Sequence, residues 1–193
     1  MSTAHTTRFT GIVKKILLPC CVSLPGENIS DDDIHKHQAL LDTGATSTCV
    51  SLQLAADLKL VKVRDEDLKV ANNQTHSAEV YCVQIRMGNY TVRNIEVYGL
   101  PMEGTGKDVI IGMDIISKVD LSITNYKGQT VLTFRAPSLE TIDYVEEIRL
   151  NNKCLAAHQI NTKRRIPDKC ACGSGKEYKN CHGKSVYNRE DQA

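Results

Sequence analysis

The sequence predicts an all-β domain with short helices, followed by a helical connector and a small tail that carries cysteines. From Gly11 to about Arg135, short runs rich in β-branched residues alternate with turn residues, as is typical of strands. After Ala136 the apolar residues recur at near-helical intervals, and three of the eight cysteines lie close together near the end. We therefore expect the β domain over residues 8–136, a helical connector and basic linker over 137–166, and the tail over 167–184.

Composition is that of an ordinary globular protein. Of 193 residues, 41% are hydrophobic and 24% are charged, so the chain can bury a core and is neither disordered nor fibrous. The formal net charge is +1, but residues 163–193 hold eight Lys or Arg against four Asp or Glu. The basic character therefore belongs to the tail.

Cysteine usage indicates a reducing compartment, because the eight cysteines form no regular framework of the kind found in secreted domains. The apolar run "ILLPCCVSL" is interrupted by a proline and has no cleavage site after it, so we interpret it as a strand rather than a signal peptide. No apolar run approaches the roughly 20 residues that span a membrane. We expect a cytoplasmic protein without a membrane partner.

The first strands are predicted on the two sides of the turn-rich segment "PGENISDDD". "GIVKKILLPCCVSL" precedes this segment and "IHKHQALL" follows it, so the second strand leads directly to Asp42. The next stretch, "SLQLAADLKL", predicts a helix because Leu54 and Leu58 have helical spacing and Ser51 is suited to cap the N-terminus.

Later strands are predicted at "VYCVQIRM" and "YTVRNIEVY", joined by the hairpin pair Gly88-Asn89, and then at "KDVIIG", "VDLSI" and "TVLTF". Lys127-Gly128 supplies a turn before the last of these strands. Apolar spacing in "SLETIDYVEEIRL" predicts the connector helix from Ser138 to about Gln159, and "NTKRRIPDK" is typical of a basic linker.

The segment "LLDTGAT" places an acid, a hydroxyl and a glycine directly after an apolar strand. If two such loops face each other, their carboxylates lie about 3 Å apart and hold one proton between them. The ionised Asp42 takes a proton from a water that attacks a peptide carbonyl, while the protonated Asp42 polarises that carbonyl. This chemistry requires no metal and no covalent intermediate.

Three neighbours of Asp42 are predicted to support it. Gly44 lets the backbone pass close to the two carboxylates, and its amide is placed to donate to a carboxylate oxygen. Thr43 is expected to form a hydrogen bond to the opposing loop, and Thr46 to orient the outer carboxylate oxygen.

From Gly11 to Phe134 the order of motifs resembles the retropepsin-like aspartic proteases. "ALLDTGAT", the helix of "SLQLAADLKL", the strands through Tyr98 and "VIIGMDIISKVDLSI" carry the resemblance. It implies a closed β lobe with Asp42 as catalytic residue and with Ile110, Ile111 and Gly112 behind the active loop. It also implies a hairpin flap near "VANNQTHSAEV". Met113 departs from the basic residue of viral relatives, which leaves their dimer-stabilising ion pairs in question.

Asp-Thr-Gly occurs once in the chain, and no Asp-Ser-Gly replaces a second copy. An aspartic protease of this kind must therefore be a homodimer with one Asp42 from each subunit. The prediction is a homodimeric endopeptidase that acts on a peptide or protein substrate. The alternative is a non-catalytic dimer that keeps the scaffold for binding, while the C-terminal cysteine tail recruits it to a ribosome or protein complex.

The tail sequence "CACGSGKEYKNCH" offers Cys170, Cys172, Cys181 and His182 as ligands for one tetrahedral structural zinc per chain. A tail this short cannot bury a core, so metal binding would supply much of its folding free energy. The same residues resemble the SEC-C motif, with Ala171 and Glu177 as departures. That resemblance implies a docking module for proteins or ribosomes, and the basic residues suit an acidic or phosphate-bearing partner.

Overall fold

A computed structural model describes residues 2–69, 75–102, 106–164, 169–170, 172–177 and 180–181. The chain forms two compact units, Met1–Glu140 and Thr141–Ala193. The first unit is built mostly of strands, and the second contains the long helix and the cysteine tail.

The first unit contains ten described strands, two short α-helices and two 3₁₀ turns. The strands are β1 (Thr3–Arg8), β2 (Leu17–Ser23), β3 (His37–Leu41), β4 (Cys49–Ser51), β5 (Lys62–Lys69), β6 (Thr75–Met87), β7 (Tyr90–Leu100), β8 (Val109–Ile111), β9 (Asp120–Thr124) and β10 (Val131–Ala136). The helices are α1 (Leu52–Asp57) and α2 (Met113–Ile116), and the 3₁₀ turns span Asp31–His35 and Tyr126–Gly128.

Seven strands form one sheet in the order β2-β3-β8-β4-β7-β6-β5, and β2 also pairs with β6. That second pairing closes six of the strands into a ring, with β5 outside it on the edge. A separate sheet has the order β1-β10-β9. The predicted closed β lobe with short helices is therefore confirmed.

The core is formed by strands of the closed ring together with residues of α1, α2 and β10. Along β7, buried and more exposed side chains largely alternate, because successive residues of a strand point to opposite faces. The largest fully buried side chains come from several different strands and from α2: Ile85, Ile111, Ile115, Leu132, Val22, Val50, Val80, Val83, Val97 and Val109. These apolar contacts fix the ends of β3 and β8, where the candidate site lies.

Two local predictions are confirmed. Helix α1 starts after Ser51, whose side chain accepts a hydrogen bond from the Leu54 amide at 3.0 Å. Strands β6 and β7 form a hairpin with Met87 opposite Tyr90, so Gly88-Asn89 is its two-residue turn.

The connector helix was predicted to run from Ser138 to about Gln159, and this range is wrong. Helix α3 spans Tyr144–Arg164. Residues 138 and 139 are held in the first unit instead, since the Ser138 hydroxyl and the Leu139 amide both donate to Asp120. The side chain of Asp143 accepts from the amides of Val145 and Glu146, which marks the true helix start.

Strands β1 and β5 were not predicted. β1 begins at Thr3, before the predicted start of the domain at residue 8, and pairs with β10 from Thr3 opposite Ala136 to Arg8 opposite Val131. β5 pairs with β6 along the edge of the large sheet. Within the described residues, no helix has the length and apolar character needed to cross a membrane.

Candidate functional site

The candidate site is the loop that follows β3. Strand β3 runs parallel to β8, with Leu41 opposite Ile111. The Asp42 amide donates to the Ile111 carbonyl oxygen at 3.0 Å, which extends this pairing by one residue. Asp42 therefore begins the loop from a position fixed by two buried strands.

The backbone turns sharply after Asp42 and brings its own amides to the acid. The Gly44 amide donates to Asp42 Oδ1 at 2.9 Å, and the Ala45 amide donates to the Asp42 carbonyl oxygen at 3.2 Å. Among the described residues, the Asp42 carboxylate has no ion pair, and the side chain is only partly buried. The carboxylate is thus oriented by the backbone while part of it faces outward.

Gly44 has little room for a side chain beside this carboxylate. A Cβ atom at Gly44 would lie 3.2 Å from Asp42 Oδ1, which is tighter than ordinary van der Waals contact. A side chain at this position would require the Asp42 carboxylate to move by a few tenths of an ångström, so glycine leaves the acid in place beside the Gly44 amide.

Thr43 and Thr46 are exposed in the single chain. In the part of the chain that the structure describes, neither hydroxyl forms a hydrogen bond. Their predicted functions, contact with an opposing loop and orientation of a carboxylate oxygen, stay predictions.

A second segment, Gly112 to Asp114, supports the loop from behind. The Met113 amide donates to the Ala45 carbonyl oxygen at 2.8 Å, and the Asp114 amide donates to the Thr46 carbonyl oxygen at 3.2 Å. A Cβ atom at Gly112 would lie 2.6 Å from the Ser47 carbonyl carbon, so only glycine allows this approach of the two backbones.

Thr48 and Asp114 lock the two segments together. Thr48 is fully buried, and its hydroxyl donates to Asp114 Oδ1 at 2.7 Å while its amide donates to Asp114 Oδ2 at 3.0 Å. The same hydroxyl accepts from the Gly112 amide at 3.1 Å. This pair was not predicted from the sequence, because an acid in the first turn of a helix is common and does not specify a partner.

The predicted flap falls near residues 70–80. Residues 70–74, which include its turn, lie outside the described residues. The two strands that lead to them, β5 and β6, pair antiparallel up to Lys69 opposite Thr75.

In the tail, three of the four predicted metal ligands come together. The sulfur atoms of Cys170, Cys172 and Cys181 all lie within 4.8 Å of one another, and those of Cys172 and Cys181 are 3.7 Å apart. His182, the predicted fourth ligand, lies outside the described residues.

The backbone around these thiols turns tightly. Gly173 and Gly175 have φ angles of +83° and +70°, a conformation that favours glycine. The Cys170 amide donates to the Lys176 carbonyl oxygen at 2.6 Å, which closes the loop. The described part of the tail thus brings three sulfur atoms close enough together to share one metal ion.

The chemistry of the donor set fits zinc. The pKa of the Cys172 thiol is lowered to about 6. Hydrogen bonds from Ser174 have the largest effect, and a hydrogen bond from Cys170 adds to it. The thiolate is the form that binds metal, and three sulfur ligands suit tetrahedral zinc. The three described thiols therefore fit as three of the ligands of a zinc site.

Comparisons with known proteins give a family-model match in each part of the chain. Residues 32–118 match the family model described as "gag-polyprotein putative aspartyl protease", and residues 167–184 match the model of the SEC-C motif. These two matches confirm the resemblances drawn from the sequence. No curated protein matches the chain significantly.

Two solved structures are similar to this chain. One is a retropepsin-like aspartic protease from Rickettsia conorii, at 14% identity and a TM-score of 0.45, matched over 70% of this chain and 96% of that one. The other is a foamy viral protease-reverse transcriptase in complex with an RNA/DNA hybrid, at 18% identity and a TM-score of 0.39. That match covers 81% of this chain and 18% of the viral one.

Proposed function

We propose that this chain is an aspartic endopeptidase whose active site is formed by Asp42 from two copies of the chain. Support comes from the match of residues 32–118 to an aspartyl protease family and from the geometry of the loop after β3. The observation that carries the proposal is the partly exposed Asp42 carboxylate, held at Oδ1 by the Gly44 amide at 2.9 Å.

The proposed mechanism divides the work between two equivalent acids. When two Asp42 carboxyl groups face each other, like-charge repulsion keeps one of them protonated. The ionised Asp42 accepts a proton from the attacking water, and the protonated Asp42 donates a hydrogen bond to the peptide carbonyl oxygen. The proton on the base then passes to the leaving nitrogen, so both acids return to their starting states.

The supporting residues have separate tasks in this mechanism. Gly44 orients the inner carboxylate oxygen through its amide, and Gly112 lets the segment behind the loop approach closely enough to hold it. Thr43 is proposed to contact the loop of the second subunit and Thr46 to orient the outer carboxylate oxygen. The substrate class is a peptide or protein chain.

The test compares Asp42→Asn with Asp67→Asn, which changes an exposed acid on β5 in the same way. Purified chains are incubated with a peptide library across pH, and products are identified by mass spectrometry. We expect Asp42→Asn to remove cleavage, since an amide cannot exchange the proton, and Asp67→Asn to cleave like the wild type. Cleavage retained in folded Asp42→Asn would overturn the proposal.

We also propose that the tail is a docking module stabilised by zinc. Zinc bound by Cys170, Cys172, Cys181 and His182 would stabilise the tail fold by cross-linking its loop. The surrounding residues 163–193 are basic, with eight Lys or Arg against four Asp or Glu. They suit an acidic protein or a ribosomal surface in the cytoplasm.

A further inference from the structure

A cavity that is widely open to solvent lies in the first unit, apart from the Asp42 loop. Its volume is about 430 Å³, within the range of small-molecule sites. It is formed where the hairpin turn between β6 and β7 meets the start of β1, the end of β10 and the turn after α2. Its lining residues are Thr3, Asn89, Tyr90, Thr91, Arg93, Lys118, Ala136 and Pro137.

Both charged residues that line this cavity are cations. Arg93 and Lys118 are exposed, and the lining contains no Asp or Glu. Within the described residues, neither side chain forms an ion pair or a hydrogen bond. Three other arginines of the same unit do have carboxylate partners: Arg64 with Glu66 and Glu96, Arg86 with Asp31, and Arg135 with Asp120 and Glu140.

The remaining lining residues complete a site for an anion that carries an organic group. The Thr91 hydroxyl and the Asn89 amide can donate hydrogen bonds, and they lie on the same turn and strand as Arg93. Ala136, Pro137 and the ring of Tyr90 supply apolar surface. A site with donors on one part and apolar atoms on another matches a ligand with a charged head and a neutral body.

From this arrangement we propose that the cavity binds the phosphoryl group of a small phosphorylated molecule, with Arg93 and Lys118 as its counter-ions. A phosphomonoester carries a charge of about −1.5 to −2 near pH 7, which two cations balance. The guanidinium fork of Arg93 suits two phosphoryl oxygens, and the Lys118 ammonium acts as a point charge. The site is independent of the proposed peptidase activity, because no residue from 42 to 48 lines it.

The experiment titrates the full chain with two probes, inorganic phosphate and a nucleoside 5′-monophosphate, at constant ionic strength in chloride. Amide NMR shifts of Asn89, Thr91 and Lys118 report binding. We expect saturable shifts at these residues with both probes, and tighter binding of the monophosphate because its neutral body contacts the apolar wall. If neither probe gives saturable shifts at these residues, the proposal is overturned.

A pair of charge-matched variants separates a specific site from general attraction. Arg93→Gln with Lys118→Gln removes the two cavity cations, and Lys14→Gln with Lys15→Gln removes two adjacent exposed cations elsewhere. The first variant should weaken monophosphate binding at least tenfold, and the second should leave it unchanged. Lys118→Gln alone gives the same test, with a smaller loss, if the double variant does not fold.

Two results would contradict the site. Equal loss in both double variants would mean nonspecific charge attraction. Unchanged binding, together with a shift from dimer to monomer in sedimentation, would mean that the two cations contact a second copy of the chain. Asp42→Asn should bind the monophosphate like the wild type, so failure of the peptidase proposal leaves this test intact.

Discussion

The Thr48–Asp114 pair joins two segments that are 66 positions apart in the chain. Thr48 has no exposed surface, so its amide and hydroxyl cannot turn to water if Asp114 is lost. A buried donor left without a partner costs about 1–3 kcal/mol. The loop that carries Asp42 begins six residues earlier and depends on this support.

We predict that Asp114→Ala lowers the free energy of unfolding by about 2 kcal/mol, since it leaves two buried donors of Thr48 unpaired. Urea denaturation followed by circular dichroism measures the change. Asp114→Asn, which keeps one carbonyl acceptor, is the matched control and should lose less. If both variants unfold at the wild-type urea concentration, the pair does not stabilise the loop.

At the residue scale, some of the candidate site could be predicted and some could not. Asp42 and Gly44 belong to one short motif, so their proximity follows from local sequence. The contact of Asp114 with Thr48 depends on how β3, β4 and β8 pair, which no local pattern specifies. An acid in the first turn of a helix is also common for electrostatic reasons alone, so Asp114 carried no distinct signal.

At the scale of elements, Asp120 joins the start of β9 to the segment that follows β10. Its carboxylate binds Arg135, the Ser138 hydroxyl at 2.6 Å and the Leu139 amide at 2.9 Å. The hydrogen bond from Ser138, followed by those from Leu139 and Arg135, holds the pKa of Asp120 well below its usual range. The ionised form therefore fastens residues 138–139 to the first unit.

This network predicts a pH-dependent contribution to stability. Because the pKa of Asp120 is lowered on folding, the stabilisation is complete above the ordinary pKa of about 3.9 and is lost as the pH falls below it. Asp120→Asn should lower the urea midpoint at pH 7, and its difference from the wild type should shrink steadily toward pH 2. Midpoints of both chains at several pH values measure this. A difference that stays constant with pH would contradict the assignment.

Helix α1 and the β6–β7 hairpin were predicted because their signals are local: a Ser cap, helical spacing and a Gly-Asn turn. Strand β1, "TAHTTR", has no apolar alternation and exists because its backbone pairs with β10. Strand β5, "KVRDEDLK", is a charged edge strand held by β6 and by cross-strand ion pairs. Both strands form because of backbone pairing, and β5 also because of its ion pairs. Neither cause is visible in the β-propensity of the residues.

At the scale of the whole molecule, the proposed zinc site predicts about one zinc per chain. Cys170→Ser with Cys172→Ser should abolish zinc content, because it removes two of the three thiols in the described cluster. Elemental analysis of the purified chain measures this, and Cys82→Ser, outside the cluster, is the control. Zinc retained at the wild-type level in the double variant would refute the ligand set. Cleavage by the double variant should be unaffected, since Asp42 lies in the other compact unit.

The proposed catalytic site also makes a prediction about subunit number, because each chain has one Asp-Thr-Gly. A single carboxyl group that acts as the base has no second acid beside it to polarise the carbonyl. Activity therefore requires two chains, and a mixed dimer of wild type and Asp42→Asn has one functional acid. Under subunit exchange at equal amounts, roughly one quarter of dimers keep both acids, so activity should fall with the square of the wild-type fraction.

Mixing with Asp67→Asn chains, which keep Asp42, is the control and should leave the activity proportional to total chain. Dilution below the dimer dissociation constant should lower the rate per chain in the same assay. An activity that falls linearly with the wild-type fraction, from a species that sediments as a monomer, would show that Asp42 acts without a second copy. The acid that shares its proton would then have to come from the same chain, and the pairing of two Asp42 loops would be wrong.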